Sequence, residues 1–226
     1  MKVGTDGVLL GAWCRLTATA DASPMTSAPR ILDIGAGTGL ISLMLAQRYP
    51  EALIDAVEID AEAASQCQEN FDASPWSNRL HIYTTSLQEH QTDTEYDLIV
   101  TNPPFYNATL KPADEGRAIA RHFDSLPTAE IIRFACAHLS PSGTLALIYP
   151  PQYETSLMTE FARSDLSLTR LCNFITREGK PAKRRLIQLS RRAQPIESES
   201  LIIRDVDNIY TPQYIALTEP FYLSLK

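Results

Sequence analysis

The residues of this chain best suited to chemistry are Asn102-Pro103-Pro104-Phe105. They follow Tyr96-Asp97-Leu98-Ile99-Val100-Thr101, a short apolar run that predicts a buried strand. A strand entering Asn-Pro-Pro must end there. Neither proline has an N–H for a ladder, and each holds its predecessor extended. The product is a stiff corner with one amide side chain and one aromatic ring, which suits transfer of a group to a planar amine. An exocyclic base amine is a poor nucleophile because its lone pair is delocalised into the ring. The Asn102 carboxamide oxygen and the Pro103 carbonyl can accept both amine hydrogens and push the nitrogen toward tetrahedral geometry, while Phe105 stacks on the ring. Alone, the tetrapeptide reads equally well as a turn that ends a strand and buries a phenylalanine. What lies upstream decides between the two.

Upstream, Arg30-Ile31-Leu32-Asp33-Ile34 predicts a strand, Gly35-Ala36-Gly37-Thr38-Gly39 a turn, and Leu40 to Tyr49 a buried helix. Glycines there allow a tight turn and close approach of a ligand to the backbone, and the helix start offers free N–H groups. A second strand, Leu53 to Ile59, carries Glu58, nineteen residues after Gly39. A carboxylate at that spacing is placed to bind ribose hydroxyls. Asp60 is the weaker candidate, because it suits the cap of the next helix, Ala61 to Ala73. Leu80 to Tyr83 predicts a third strand, with Ser86 beyond it where an adenine ring would be edged. Alternating strands and helices imply a parallel sheet, and such sheets bind ligands outside the carboxyl ends of their strands. Gly35, Gly37, Gly39, Glu58, Ser86 and Asn102 all fall on that one rim.

Composition sets further bounds. The chain has 226 residues, 44% hydrophobic, and a net charge of −7. That size suits one α/β domain. We divide it into a segment and loop at 1–29, a core sheet over 30–192 and an extension over 193–226 that packs on the core. The negative balance disfavours a protein that coats nucleic acid, but the charge is uneven. Residues 177–192 carry Arg177, Lys180, Lys183, Arg184, Arg185, Arg191 and Arg192 against Glu178, or +6, which leaves −13 elsewhere. Most of this charge lies in or beside Thr176 to Arg185, the link between two further predicted strands, Leu166 to Ile175 and Leu186 to Ser190. If the sixth strand is parallel to the first five, that turn lies on the same rim. A basic patch there suits a phosphate-backbone substrate, although it also reads as a solvated turn. Cys14, Cys67, Cys136 and Cys172 are scattered without metal-ligand spacing, so they read as packing thiols in a reducing cytoplasm. We expect no metal, no membrane span and no obligate protein partner.

Between these features, Thr5 or Asp6 is placed to cap a short apolar helix. Asn107 to Pro127, with Arg117, Arg121 and His122, reads as a flap over the substrate. Thr128 to Leu139 predicts a helix, Pro141-Ser142-Gly143 a turn, Thr144 to Tyr149 a fifth strand and Tyr153 to Ala162 a helix.

The spacing Gly-x-Gly-x-Gly differs from the Gly-x-Gly-x-x-Gly of dinucleotide sites. With the Asn102 corner it resembles the class I S-adenosylmethionine-dependent methyltransferases that act on amino groups. Lys2 to Trp13, Arg117 to Leu126, Gly179 to Arg185 and Leu217 to Leu223 resemble the bacterial tRNA adenine-N6 methyltransferases, which modify the adenine beside the anticodon of a valine tRNA. That resemblance covers nearly the whole chain. It implies a doubly wound, mostly parallel seven-stranded sheet of order 3-2-1-4-5-7-6 with the seventh strand antiparallel. It implies S-adenosylmethionine as cofactor, tRNA as partner, and a cofactor pocket lined by Thr5 and Asp6. The cofactor-binding candidates are Thr5, Asp33, Gly35, Gly37, Gly39, Glu58, Ser86 and Asn102. The catalytic candidates are Asn102, Pro103 and Phe105. The RNA-binding candidates are Arg121, Lys180, Lys183, Arg184 and Arg185. Many of the proteins it resembles carry an acidic residue after the third strand, against the cofactor's adenine, where this chain has Thr84-Thr85-Ser86-Leu87. Alternatives are a methyltransferase of a protein glutamine amide, an RNA guanine-N2 methyltransferase, and a nucleotide- or RNA-binding module without turnover.

Overall fold

A computed structural model describes residues 4–17, 28–104 and 127–223. Eight strands form one sheet in the order β3-β2-β1-β4-β5-β7-β6-β8. They are β1 (Arg30–Ile34), β2 (Leu53–Glu58), β3 (Leu80–Thr84), β4 (Tyr96–Thr101), β5 (Leu139–Tyr149), β6 (Ser167–Arg177), β7 (Arg184–Ser190) and β8 (Glu197–Arg204). The expected order of seven is present, with β7 antiparallel to both neighbours. The eighth strand extends it: β8 pairs parallel to β6, so the extension after residue 192 contributes a strand of the sheet itself. Its first half, Glu197-Ser198-Glu199-Ser200, is exposed and has no apolar alternation, which hid it from pattern reading. Charged residues on an edge strand also discourage pairing with other chains.

Side chains alternate between the two faces of the sheet, as the period of two requires. Ile31, Ile54, Leu98, Val100, Ala146, Ile148, Cys172 and Phe174 pack on one face with helices α1 (Thr5–Trp13), α2 (Leu40–Arg48), α3 (Ala61–Asp72) and α6 (Pro212–Thr218). Leu32, Ile34, Ile99, Leu145, Leu147, Ile187 and Leu189 pack on the other with α4 (Thr128–His138) and α5 (Glu154–Phe161). Leu9 and Leu10 of α1 are fully buried, each contributing about 1.5–3 kcal/mol of burial.

Two local readings change. Neither Thr5 nor Asp6 caps α1. Both are helical, Gly4 occupies the cap position, and no side chain caps it. Pro141-Ser142-Gly143 is not a turn before β5 but an irregularity within it, since the β4–β5 register jumps from Tyr96↔Leu139 to Leu98↔Thr144. Gly143 makes this possible: a Cβ there would stand 2.5 Å from the Tyr96 carbonyl oxygen.

Candidate active site

The β1–β4 ladder fixes the corner against the glycine loop. Ile34 pairs with Thr101, and the Thr101 hydroxyl donates to the Ile34 carbonyl at 2.9 Å. Asn102 and Gly35 therefore leave adjacent strands at the same level, about 5 Å apart across the sheet. Asn102 is half-buried and Pro103 buried. No hydrogen bond among the described residues engages the Asn102 side chain, so its amide is uncommitted. Phe105, Arg121 and the segment 107–126 expected as a flap lie outside the described residues.

The glycine loop is tied down from several sides. Gly35 and Ala36 donate to the Val57 carbonyl at 2.8 and 3.1 Å, and the Asn70 amide donates to the Thr38 carbonyl at 2.9 Å. Gly35, Gly37 and Gly39 all have positive φ, which disfavours any residue with a Cβ. At Gly35 a Cβ would meet nothing within 4 Å, so that position faces open space. At Gly39 a Cβ would come within 2.7 Å of Cys67 Sγ and 2.6 Å of Phe71 Cε1, so that glycine lets the loop pack on α3. Gly39, at the cap position of α2, brings no side chain of its own to the first turn, and the one first-turn amide with a side-chain acceptor is that of Ser42, which Asp33 takes.

Glu58 and Asp60 have separate roles. Glu58 Oε2 accepts from the Gly37 amide at 2.7 Å, and Oε1 accepts from the Asp60 amide at 2.9 Å. Asp60 caps α3, accepting from the Glu62 and Ala63 amides. Each Glu58 oxygen keeps a further lone pair, so the carboxylate can accept ribose hydroxyls beside the loop.

Asp33 is fully buried. Its Oδ2 accepts from the Ser42 amide at 3.1 Å and from the Ser42 hydroxyl at 2.7 Å. Asp33 thus buttresses the loop from behind, joining its strand to the first turn of α2. Oδ1 has no hydrogen-bond partner, which leaves one unmet acceptor under the loop. Burial pushes the Asp33 carboxyl up to about 6, against the pull of the Ser42 hydrogen bonds. Ser42 was not legible as a site residue, because it belongs to no motif and reads as one more helical position.

At the rim end of β3, the Thr85 amide continues the ladder to the Glu58 carbonyl. Ser86 then starts a tight turn, its hydroxyl donating to Glu89 Oε2 at 3.0 Å and accepting from the Glu89 amide. That hydroxyl is already committed within the turn. Thr5 is exposed in the first turn of α1. That turn reaches the loop through Gly7, where a Cβ would stand 3.2 Å from Leu40 Cδ2.

The basic turn lies on this same rim. β6 is parallel to β5, both being antiparallel to β7, so 178–183 projects from the edge that carries Asn102. Lys180 and Lys183 are exposed, and among the described residues neither makes an ion pair. Arg185 pairs with Glu154 and donates to Asn173 Oδ1. Arg184 pairs with Asp6 at 2.6 Å, which ties the first turn of α1 to the hairpin.

The family described as "Methyltransferase small domain" matches residues 18–168. The chain belongs to that family. This methyltransferase is 46% identical over its full length to a tRNA1(Val) (adenine(37)-N6)-methyltransferase of Flavobacterium psychrophilum, covering 94% of that protein. It is 43% identical, again over its full length, to the protein of that name in Aeromonas hydrophila, covering 92% of it. Among solved structures, a predicted O-methyltransferase from Agrobacterium tumefaciens superposes with a TM-score of 0.68 at 19% identity, each chain 95% covered. A ribosomal protein L11 methylase from Lactobacillus delbrueckii reaches 0.54 at 15% identity, over 83% of this methyltransferase and 78% of that chain. These two support the fold alone. Among the described residues, no helix of this methyltransferase is long and apolar enough to cross a membrane.

Proposed function

We propose that this methyltransferase uses S-adenosylmethionine to methylate the exocyclic N6 amine of an adenine near the anticodon of a tRNA. The observation that carries the reading is the Thr101–Ile34 register, which sets an uncommitted Asn102 amide beside an open glycine loop and Glu58. The full-length relatives bearing the name tRNA1(Val) (adenine(37)-N6)-methyltransferase support the choice of base and RNA.

The residues present fit the cofactor. Glu58 has acceptors free for the ribose, Gly35 leaves room for close approach, and the unmet Asp33 Oδ1 offers an acceptor for an ammonium group or its water. The resemblance adds Thr5 to this lining, and Ser86 stands beyond the end of β3, where an adenine ring would be edged. When bound, S-adenosylmethionine supplies a methyl carbon made electrophilic by the sulfonium, so no acid catalyst is required. The protein's work is on the amine. Asn102 Oδ1 and the Pro103 carbonyl accept its two hydrogens and orient its lone pair. As the nitrogen took the methyl carbon, the sulfonium would leave as a neutral thioether and the nitrogen would gain positive charge; both acceptors would stabilise that charge, which would be discharged by loss of one amine hydrogen as a proton to water. A base flipped out of its stack would lie on Phe105. Lys180 and Lys183, exposed on the rim beyond, would hold the phosphate backbone.

The test uses methyl-labelled S-adenosylmethionine and unmodified tRNA, with the product digested to nucleosides. Label in N6-methyladenosine is the expected result. Label in N2-methylguanosine overturns the base assignment. No label in any nucleoside, despite cofactor binding, overturns the RNA substrate and points to a protein amide.

A further inference from the structure

Of the four basic residues that the sequence offers as RNA contacts on the hairpin, two are already engaged within the protein. One of them reaches the cofactor side. Arg184 Nε donates to Asp6 Oδ2 at 2.6 Å, and both side chains are about three-quarters buried or less, at 26% and 32% exposure. The partners are 178 residues apart in sequence. They join the first residue of β7 to the first turn of α1.

Among the described residues, that turn has few other polar ties. Its cap position is Gly4, with no side-chain cap. The far end of α1 is held firmly. Arg48 donates to the Gly11 and Cys14 carbonyls, Trp13 Nε1 donates to Glu199 at 2.7 Å, and the Arg170 guanidinium lies 4.1 Å over the Trp13 ring. At the rim end, the Asp6–Arg184 pair does the equivalent task. Its neighbour Gly7 packs on Leu40, the residue that follows Gly39 and begins α2. A continuous path of contacts therefore runs from the basic hairpin through Arg184, Asp6 and Gly7 to the glycine loop.

We propose that Arg184 is a positioning residue for the cofactor, acting through Asp6, and that the phosphate backbone is held by Lys180 and Lys183 instead. This rests on the cofactor reading of the glycine loop given above. Arg184 touches neither substrate nor reacting atoms. It fixes where the first turn of α1 stands beside the loop, and so sets the shape of the pocket that Thr5 lines. It also ties the RNA-facing hairpin to the cofactor wall, so that order in one favours order in the other.

The test measures S-adenosylmethionine affinity by calorimetry on the full chain without RNA, in Arg184→Ala, Asp6→Ala and the double variant. Each single variant is expected to weaken cofactor binding about 5- to 10-fold, with the double no worse than either, as for two residues that act as one pair. Arg184→Lys should recover most of the loss, because an ammonium can still reach Asp6. Affinity of Arg184→Ala for tRNA at saturating cofactor should stay within about twofold, whereas Lys183→Ala should lose tRNA affinity and keep cofactor affinity. Three results overturn the proposal: unchanged cofactor affinity in Arg184→Ala with weakened tRNA binding, additive losses in the double variant, or loss of both ligands together with a lowered melting temperature. A wild type with no affinity for S-adenosylmethionine overturns it together with the cofactor reading. Cofactor binding without label in tRNA overturns only the proposed reaction.

Discussion

Glu58 Oε2 accepts the Gly37 amide at 2.7 Å, so the carboxylate expected to hold the ribose also braces the loop it stands beside. Its second oxygen takes the Asp60 amide. Asp60 caps α3 through its own Oδ1. The two neighbouring acids should therefore separate cleanly. Glu58→Ala removes both the ribose acceptor and the loop brace, and should weaken cofactor binding at least about tenfold, roughly 1.4 kcal/mol or more. Asp60→Ala should lower stability by about 1 kcal/mol, the usual worth of an N-cap, and leave cofactor affinity nearly unchanged. Calorimetry and urea unfolding on the two variants decide it. Equal effects on binding would make Asp60 a ribose ligand after all.

Asn102 offers its amide at the end of β4 with no competing hydrogen bond among the described residues. Asn102→Ala should cut kcat by about 10²–10³, the range seen when one positioned electrostatic partner is lost at a reacting centre. Cofactor affinity should barely move. The measurement is a single-turnover rate beside a cofactor titration. Parallel loss of rate and affinity would reduce the corner to a structural turn.

Much of this geometry was legible because it depends on local chemistry. Short apolar runs placed β1, β2 and β4 to within a residue, and Asp60 could be read as a cap from its position before the next helix. The sheet order came from resemblance to known folds, since short strands say little about their neighbours. Three features stayed hidden for stated reasons. The polar β8 has no alternation, and only its hydrogen bonds to β6 make it a strand. The irregularity in β5 looked like a turn because Pro141-Ser142-Gly143 has turn composition, while tertiary pairing with Tyr96 holds it in the sheet. Asp6 and Arg184 are far apart in the chain, and nothing local in either segment announces the other.

The glycines of the loop should fail in different ways. Gly39→Ala meets two penalties. A φ of +84° costs a residue with a Cβ about 1–2 kcal/mol, and the clash with Cys67 and Phe71 adds about 1–3 kcal/mol. Gly35→Ala carries only the conformational cost at φ +70°, because its Cβ would enter open space. If that space receives the cofactor, Gly35→Ala should remain folded yet bind cofactor poorly. Gly39→Ala should show mainly a lowered melting temperature. Normal cofactor affinity in a folded Gly35→Ala would move the binding site away from this side of the loop.

The buried Asp33 gives stability a pH dependence of predictable sign. Burial raises its carboxyl from 3.8 to about 6 in the folded chain, with the Ser42 hydrogen bonds opposing and the nearby Glu58 charge assisting. The folded state therefore favours the protonated form. Its contribution to stability is complete below about pH 4 and is lost as pH rises through about 6, a change of order 3 kcal/mol for a shift of about two units. Asn at this position cannot titrate, and its amide oxygen can still accept from Ser42. Relative to Asp33→Asn, the wild type should therefore lose roughly 2.5 kcal/mol between pH 4 and pH 7, however the other carboxylates behave, because those are common to both proteins. Urea unfolding of the pair across that range measures the difference directly. Parallel curves would mean that Asp33 is charged throughout, held by partners beyond Ser42, and would remove the reason for treating its Oδ1 as an unmet acceptor beneath the loop.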